Sequence, residues 1–263
     1  MDYIVELSPN SNVVNYILCY PLKDIEQCRS LVQKRINCLM ELGVTHIILG
    51  GPVDIGRGVR VLGKGFSSIV LKALWRGKEV LLKIRRLDSR RDTLEHEAQN
   101  LALANRVGVG PTLYTYTRDF IVREYVNGIT FNEWVNVENC IERVKHVVKE
   151  VILQCYKLDS IGLDHGELSR PQKHIIINTE NEPPKVYIID FESASKNRKP
   201  HNVTSFLNFI IFRKSEIALK MRKMLGLDDN SSLRELLTLA REYKRNISFN
   251  ILREIMRKMH LTV

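Results

Sequence analysis

The sequence predicts an α+β chain, with an antiparallel sheet in its first half and mainly helices in its second. Two patterns carry this expectation. Ser68-Ile69-Val70-Leu71 and Glu79-Val80-Leu81-Leu82-Lys83-Ile84 alternate on either side of an Arg76-Gly77 turn, as the two strands of a hairpin do. Ile141, Val144, Val148, Val151, Ile152, Cys155 and Leu158 recur at helical spacing between Asn139 and Ile161, and Gly162 supplies a C-cap. Three more helices are expected after Pro200, at 203–225, 232–243 and 248–260. A length of 263 residues with 44% hydrophobic side chains suffices to bury a proper core.

Taken in order, the chain opens with a segment to residue 55 that reads as an appendage packed on the sheet. Asp24 can cap a helix running to Leu42, with Ile25, Cys28, Val32, Ile36 and Leu39 on one side; Gly43 ends it, and Thr45 to Leu49 reads as a strand. Next comes Gly63-Lys64-Gly65-Phe66-Ser67-Ser68-Ile69-Val70. Two residues without side chains let a backbone lie close over a phosphate tail, and the hydroxyl of Ser67 or Ser68 can add a hydrogen bond. Lys83 follows Val70 by thirteen positions, the length of a strand, a tight turn and a return strand. An inward lysine needs a partner. Glu97 borders the helical face formed by Leu94, Ala98, Leu101 and Ala102 and can reach it; Glu95 is the alternative. Val109-Gly110-Pro111 breaks that helix, and Phe120 to Val126 reads as a strand closing at Asn127-Gly128.

After the long helix comes Leu163-Asp164-His165-Gly166-Glu167-Leu168-Ser169-Arg170-Pro171-Gln172-Lys173-His174, followed by the apolar run Ile175-Ile176-Ile177. His165 reads as a structural histidine that holds the loop by hydrogen bonds. Asn178 to Pro184 is a polar, proline-rich turn. Lys185 to Ile189 is the returning strand, which delivers the carboxylate of Asp190 at its end, two residues before Glu192.

In their order and separation these pieces resemble the protein-kinase-like superfamily from about Gly56 to Ser195, and within it the compact RIO-type serine/threonine kinases of archaea. Three features point to that branch: a short stretch between Lys83 and Glu97, no Ala-Pro-Glu after Asp190-Phe191-Glu192, and only about seventy residues after Asp190. The resemblance implies a two-lobed fold, with a sheet lobe at 56–128 and a shortened helical lobe at 129–263. It also implies ATP, Mg²⁺ or Mn²⁺, and phosphoryl transfer to a protein substrate. It gives nucleotide contacts to Gly63, Lys64, Gly65, Phe66, Ser67, Ser68 and Val70, places Lys83 on the α- and β-phosphates with Glu97 behind it, and assigns adenine to the backbone of Glu124 to Val126. Glu167 takes the place of the usual catalytic Asp, one methylene longer. Asp190 is the main metal ligand. The second ligand is Gln172 by counting from the base, or His174 by register with the Ile175-Ile176-Ile177 strand. Glu192 stands where the pattern has glycine, which limits backbone swinging beside Phe191.

Two rival readings share these residues: a small-molecule phosphotransferase, and a nucleotide-binding module with weak or no catalysis that acts on a ribonucleoprotein. The formal net charge is +10, more than one nucleotide needs, so an acidic or nucleic-acid partner and a plain solvated basic face stand as equal readings. The sequence shows no charged-then-apolar leader and no long uncharged apolar run, so neither export nor membrane spanning is expected. Five cysteines, an odd number without a CxxC pair, argue against a disulfide framework or a zinc site and for a reducing cytoplasm.

Overall fold

Period-two patterning in the first half builds an antiparallel sheet, and helical periodicity in the second builds a helical array. The computed structural model describes residues 3–22 and 28–261. The chain divides into two compact units, one of Met1–Gln99 with Thr112–Tyr125 and the other of Asn100–Pro111 with Val126–Val263.

The first unit contains β1 (Tyr3–Glu6), α1 (Asn12–Cys19), α2 (Arg29–Glu41), β2 (Val44–Leu49), β3 (Val53–Asp54), β4 (Arg60–Val61), β5 (Gly63–Lys64), β6 (Ser68–Trp75) and β7 (Lys78–Arg85). It also takes the first turn of α3 (Glu95–Arg106), then β8 (Leu113–Tyr116) and β9 (Phe120–Glu124). The sheet runs β1-β2-β6-β7-β9-β8, with β5 on β6. Its strands pair antiparallel. The first fifty-five residues therefore contribute two strands to the same sheet as the Lys83 hairpin. Ile17, Leu18, Val32, Ile36 and Leu39 of the first two helices pack with Ile47, Leu71, Val80, Leu82 and Phe120 in one core. Each such side chain contributes about 1.5–3 kcal/mol on burial.

Two expectations change here. Asp24 and Ile25 lie outside the described residues, and α2 begins only at Arg29. The five cysteines do include one bridge: Cys19 at the end of α1 is bonded to Cys28 just before α2, with Cα atoms 6.2 Å apart, within the span a disulfide requires. Counting cysteines shows neither where α1 ends nor where α2 starts, and those ends bring the pair together. The cysteine pattern consequently gives no support to a reducing compartment.

The second unit holds β10 (Ile129–Thr130), α4 (Phe131–Val137), α5 (Ile141–Ser160), β11 (Ile175–Asn178), β12 (Lys185–Ile188), α6 (Asn202–Phe212), α7 (Glu216–Met224), α8 (Asn230–Arg245) and α9 (Phe249–Lys258). Thr130 starts α4 with a capping box: its hydroxyl accepts from Glu133 N, and the Glu133 carboxylate accepts from Thr130 N. The expected long helix at 203–225 is two helices. Ser215 caps the second of them by accepting from Ala218 N, and that local competitor ends the continuous helix the apolar pattern suggested. A small sheet of β10, β11 and β12 carries the loops of interest. Gly128 lets β10 approach β11, because a Cβ there would meet Ile177 O at 2.5 Å. Among the described residues no helix is long and apolar enough to cross a membrane.

Candidate functional site

In the first unit the cross-strand register puts Gly63 opposite Val70, and Val70 opposite Lys83. Directly opposed residues of antiparallel strands share a face, so this row crosses β5, β6 and β7 on one side of the sheet. Lys83 Nζ donates to Glu97 Oε2 at 2.6 Å, and both residues are 8% exposed. Of the two glutamates the sequence offered, Glu97 is the partner, and Glu95 is exposed. The glycine stretch is a hairpin turn: Gly65 N donates to Ser68 O at 2.8 Å. Phe66 stands at the tip, 98% exposed, whereas Ser67 and Ser68 are buried. Lys64 is exposed and Val70 half-buried. Neither Gly63 nor Gly65 takes a left-handed φ, and a Cβ built on either would come no nearer than 3.9 Å and 3.6 Å to its surroundings. Nothing in the fold demands glycine at either place, so the missing side chains leave room over the turn. At the end of β9, Glu124 N donates to Thr112 O and Glu124 O accepts from Arg123. Both polar backbone atoms of Glu124 are therefore engaged within the unit.

In the second unit His165 is fully buried between the loop that bears Glu167 and the strand end that precedes Asp190. Its Nε2 lies 3.0 Å from Ile189 O, and its Nδ1 faces Glu167 N at 3.4 Å. A carbonyl only accepts and an amide only donates, so these partners fix the neutral Nε2–H tautomer. Burial, the larger cause, pushes the imidazole pKa down to about 4. The ring also stands edge-on to Phe191 at 5.0 Å and to His174 at 5.8 Å. The peptide N–H of His165 donates to Asn202 Oδ1 at 2.8 Å. Asn202 is held in turn by Asp159, which accepts from Asn202 N, Asn202 Nδ2, Val203 N and Tyr243 Oη. Burial raises the pKa of Asp159 despite these donors.

Asp190 has a left-handed backbone, with φ 67°. That conformation is uncommon for a residue other than glycine, although Asp adopts it more readily than most. A carboxylate oxygen of Asp190 and one of Glu192 lie within 4.8 Å of each other. His174 Nδ1 is buried without a hydrogen bond and lies 3.6 Å from Asp190 Oδ2. Of the two candidates for second ligand, the structure thus brings His174 to Asp190. Gln172 sits in a helical turn, Pro171–Lys173, and makes no side-chain hydrogen bond among the described residues. Oxygen donors suit Mg²⁺ or Mn²⁺, and an imidazole nitrogen favours the latter. Asp164 is committed elsewhere, bonded to Arg198 at 2.9 Å and His201 at 2.7 Å.

No protein-family model matches the chain. Over 106 residues it is 30% identical to the uncharacterized protein MJ1211 of Methanocaldococcus jannaschii, a stretch covering 84% of that protein and 40% of this chain. The chain belongs to the family of that archaeal protein. For a member of the MJ1211 family the residues themselves must carry the functional reading. Sequence reasoning missed Asp159 and Asn202. Asp159 had a legible signal: it lies four residues after Cys155 and seven after Ile152, on the apolar face of α5. A carboxylate there must be buried and bonded. Asn202 carried no comparable signal, because its partners are 37 and 43 residues away.

Proposed function

We propose that this chain transfers a phosphoryl group from ATP to a serine or threonine hydroxyl of a protein, as a compact, RIO-like member of the protein-kinase-like superfamily with the two-lobed fold of that group. The observation that carries the reading is the row Gly63–Val70–Lys83 across β5, β6 and β7, with Lys83 buried against Glu97 and two glycines the fold does not need. A lysine held inward by a carboxylate under an open glycine turn is suited to donating to phosphate oxygens. In the second unit Asp190, with Glu192 and His174, would hold a divalent cation, whose charge would neutralise phosphate oxygens as the bond breaks. Neutral His165 fixes the backbone on both sides of that chemistry, through Ile189 O and Glu167 N. Glu167 would accept the hydroxyl proton. Its place in the loop, where the superfamily has the shorter Asp, favours a second reading in which nucleotide binds but turnover is weak.

Calorimetric titration with ATP, with and without Mg²⁺ or Mn²⁺, tests the reading. Saturable binding that strengthens with metal, and that loses its metal dependence in Asp190→Asn, is expected. No heat with any nucleotide or metal would remove the basis of the proposal.

A further inference from the structure

The turn at Gly65-Phe66-Ser67 is held from one side by a single residue. Arg86 Nη1 donates to Gly65 O at 2.8 Å, and the peptide N–H of Arg86 donates to Ser67 O at 2.9 Å. The guanidinium is itself fixed. Its Nε and Nη2 form a bidentate fork on Asp88 at 2.8 Å and 2.6 Å, and its carbon lies 5.4 Å from the centre of the Tyr20 ring. Lys64 Nζ sits 5.4 Å from the same ring. Tyr20 and the two residues before it are anchored at three points. Tyr20 follows Cys19, which is bonded to Cys28; its carbonyl accepts from Leu87 N at 3.0 Å; and the nearby Leu18 O accepts from Arg35. Arg35 also donates to Arg85 O, so the N-terminal segment grips both neighbours of Arg86.

We propose that Arg86 is the positioning residue of the glycine turn, braced by Asp88 and Tyr20, and that the N-terminal segment acts as the clamp of that turn. A trans peptide points its N–H opposite to its C=O. Fixing Gly65 O toward Arg86 therefore aims the Phe66 N–H away from Arg86. That amide has no hydrogen-bond partner among the described residues. Held in place, it is a preorganised donor for an anion, and an anion so met need not order the turn at its own expense. Gly63 and Gly65, bare of side chains, leave space for the approach. The functional meaning of the clamp rests on the nucleotide reading; the clamp itself does not.

The test exploits Phe66, exposed at the tip, as a chymotrypsin site. Cleavage after residue 66 is followed by fragment mass in wild type, Arg86→Ala, Arg86→Lys and Asp88→Asn, without nucleotide. Loss of a charge-assisted bond should speed cleavage at Phe66 about tenfold in Arg86→Ala. A smaller rise is expected in Asp88→Asn, and partial rescue in Arg86→Lys, which keeps the positive charge but not the planar fork. Should Arg86→Ala lose its far-ultraviolet signal, the comparison rests on the other two variants. Equal cleavage rates in all folded variants overturn the clamp, whatever the protein binds. In parallel, ATP affinity should fall about tenfold in Arg86→Ala, through KM rather than kcat where transfer is measured, with Arg86→Lys intermediate. Faster cleavage with unchanged ATP affinity overturns the preorganisation. A wild type that binds no ATP sinks the nucleotide reading, while the cleavage series still decides the clamp.

Discussion

Replacing Lys83 by Met should destabilise the first unit by about 3–5 kcal/mol, because it removes the cation that neutralises the buried Glu97 carboxylate. At 2.6 Å and an effective dielectric of about 20, the gross attraction of the pair is about 6 kcal/mol. Desolvation of both groups offsets much of that, so the pair contributes little net while either partner alone is costly. The double variant Lys83→Met/Glu97→Leu should therefore recover most of the loss. Urea unfolding read by tryptophan emission serves as the assay. The chain has two tryptophans: Trp75, which stacks on Tyr114 in the first unit, and Trp134 in α4 of the second. In a Trp134→Phe background the signal reports the first unit. Single-variant losses below about 1 kcal/mol, additive in the double, would refute the buried pair as the anchor of Lys83. The same cycle warns that an inactive Lys83 variant proves a phosphate role only once its folding has been measured.

Three further outcomes are expected. His165 has a folded pKa of about 4 against an ordinary 6.5, so between those values only the unfolded chain takes up the proton. Stability should then be full above about pH 6.5 and fall by about 3 kcal/mol on acidification to about pH 4; equilibrium unfolding across that range should lose this slope in a folded His165→Gln variant. Asp159→Ala leaves the amides of Asn202 and Val203 and the Tyr243 hydroxyl without their acceptor, and should cost about 3 kcal/mol or more in the second unit, read by Trp134 emission in a Trp75→Phe background. Glu167→Gln should leave ATP affinity nearly unchanged while lowering turnover; full turnover in that variant would remove Glu167 as proton acceptor.

Sequence patterns reached as far as local physics does. The hairpin of β6 and β7 was legible because alternation and the Arg76-Gly77 turn specify its register, which sets Val70 opposite Lys83; that Gly63 joins the row through β5 needed the structure. α5 was legible within a residue or two from its apolar repeat. Glu97 could be named because an inward lysine requires a carboxylate, while the choice over Glu95 needed the structure. What stayed hidden depends on contacts distant in sequence. Arg86 on Gly65 spans 21 residues, Asp159 on Asn202 spans 43, and Cys19 meets Cys28 only because α1 and α2 pack together. The break between α6 and α7 was hidden for another reason: a cap at Ser215 outweighs an apolar pattern that continues through it. His174 and Gln172 could not be ranked by spacing, because the helical turn at Pro171–Lys173 decides which of them meets Asp190.

The central claim is phosphoryl transfer, and γ-labelled ATP tests it most directly. Purified protein is incubated with labelled ATP and Mg²⁺ or Mn²⁺, alone and with a generic protein acceptor rich in serine and threonine, beside the variants Asp190→Asn and Glu167→Gln. The account predicts metal-dependent label on protein, with acid stability typical of a phosphoserine or phosphothreonine ester, abolished in Asp190→Asn and strongly reduced in Glu167→Gln. Wild type that binds ATP and metal yet leaves protein unlabelled, or label that persists undiminished in Asp190→Asn, would contradict it.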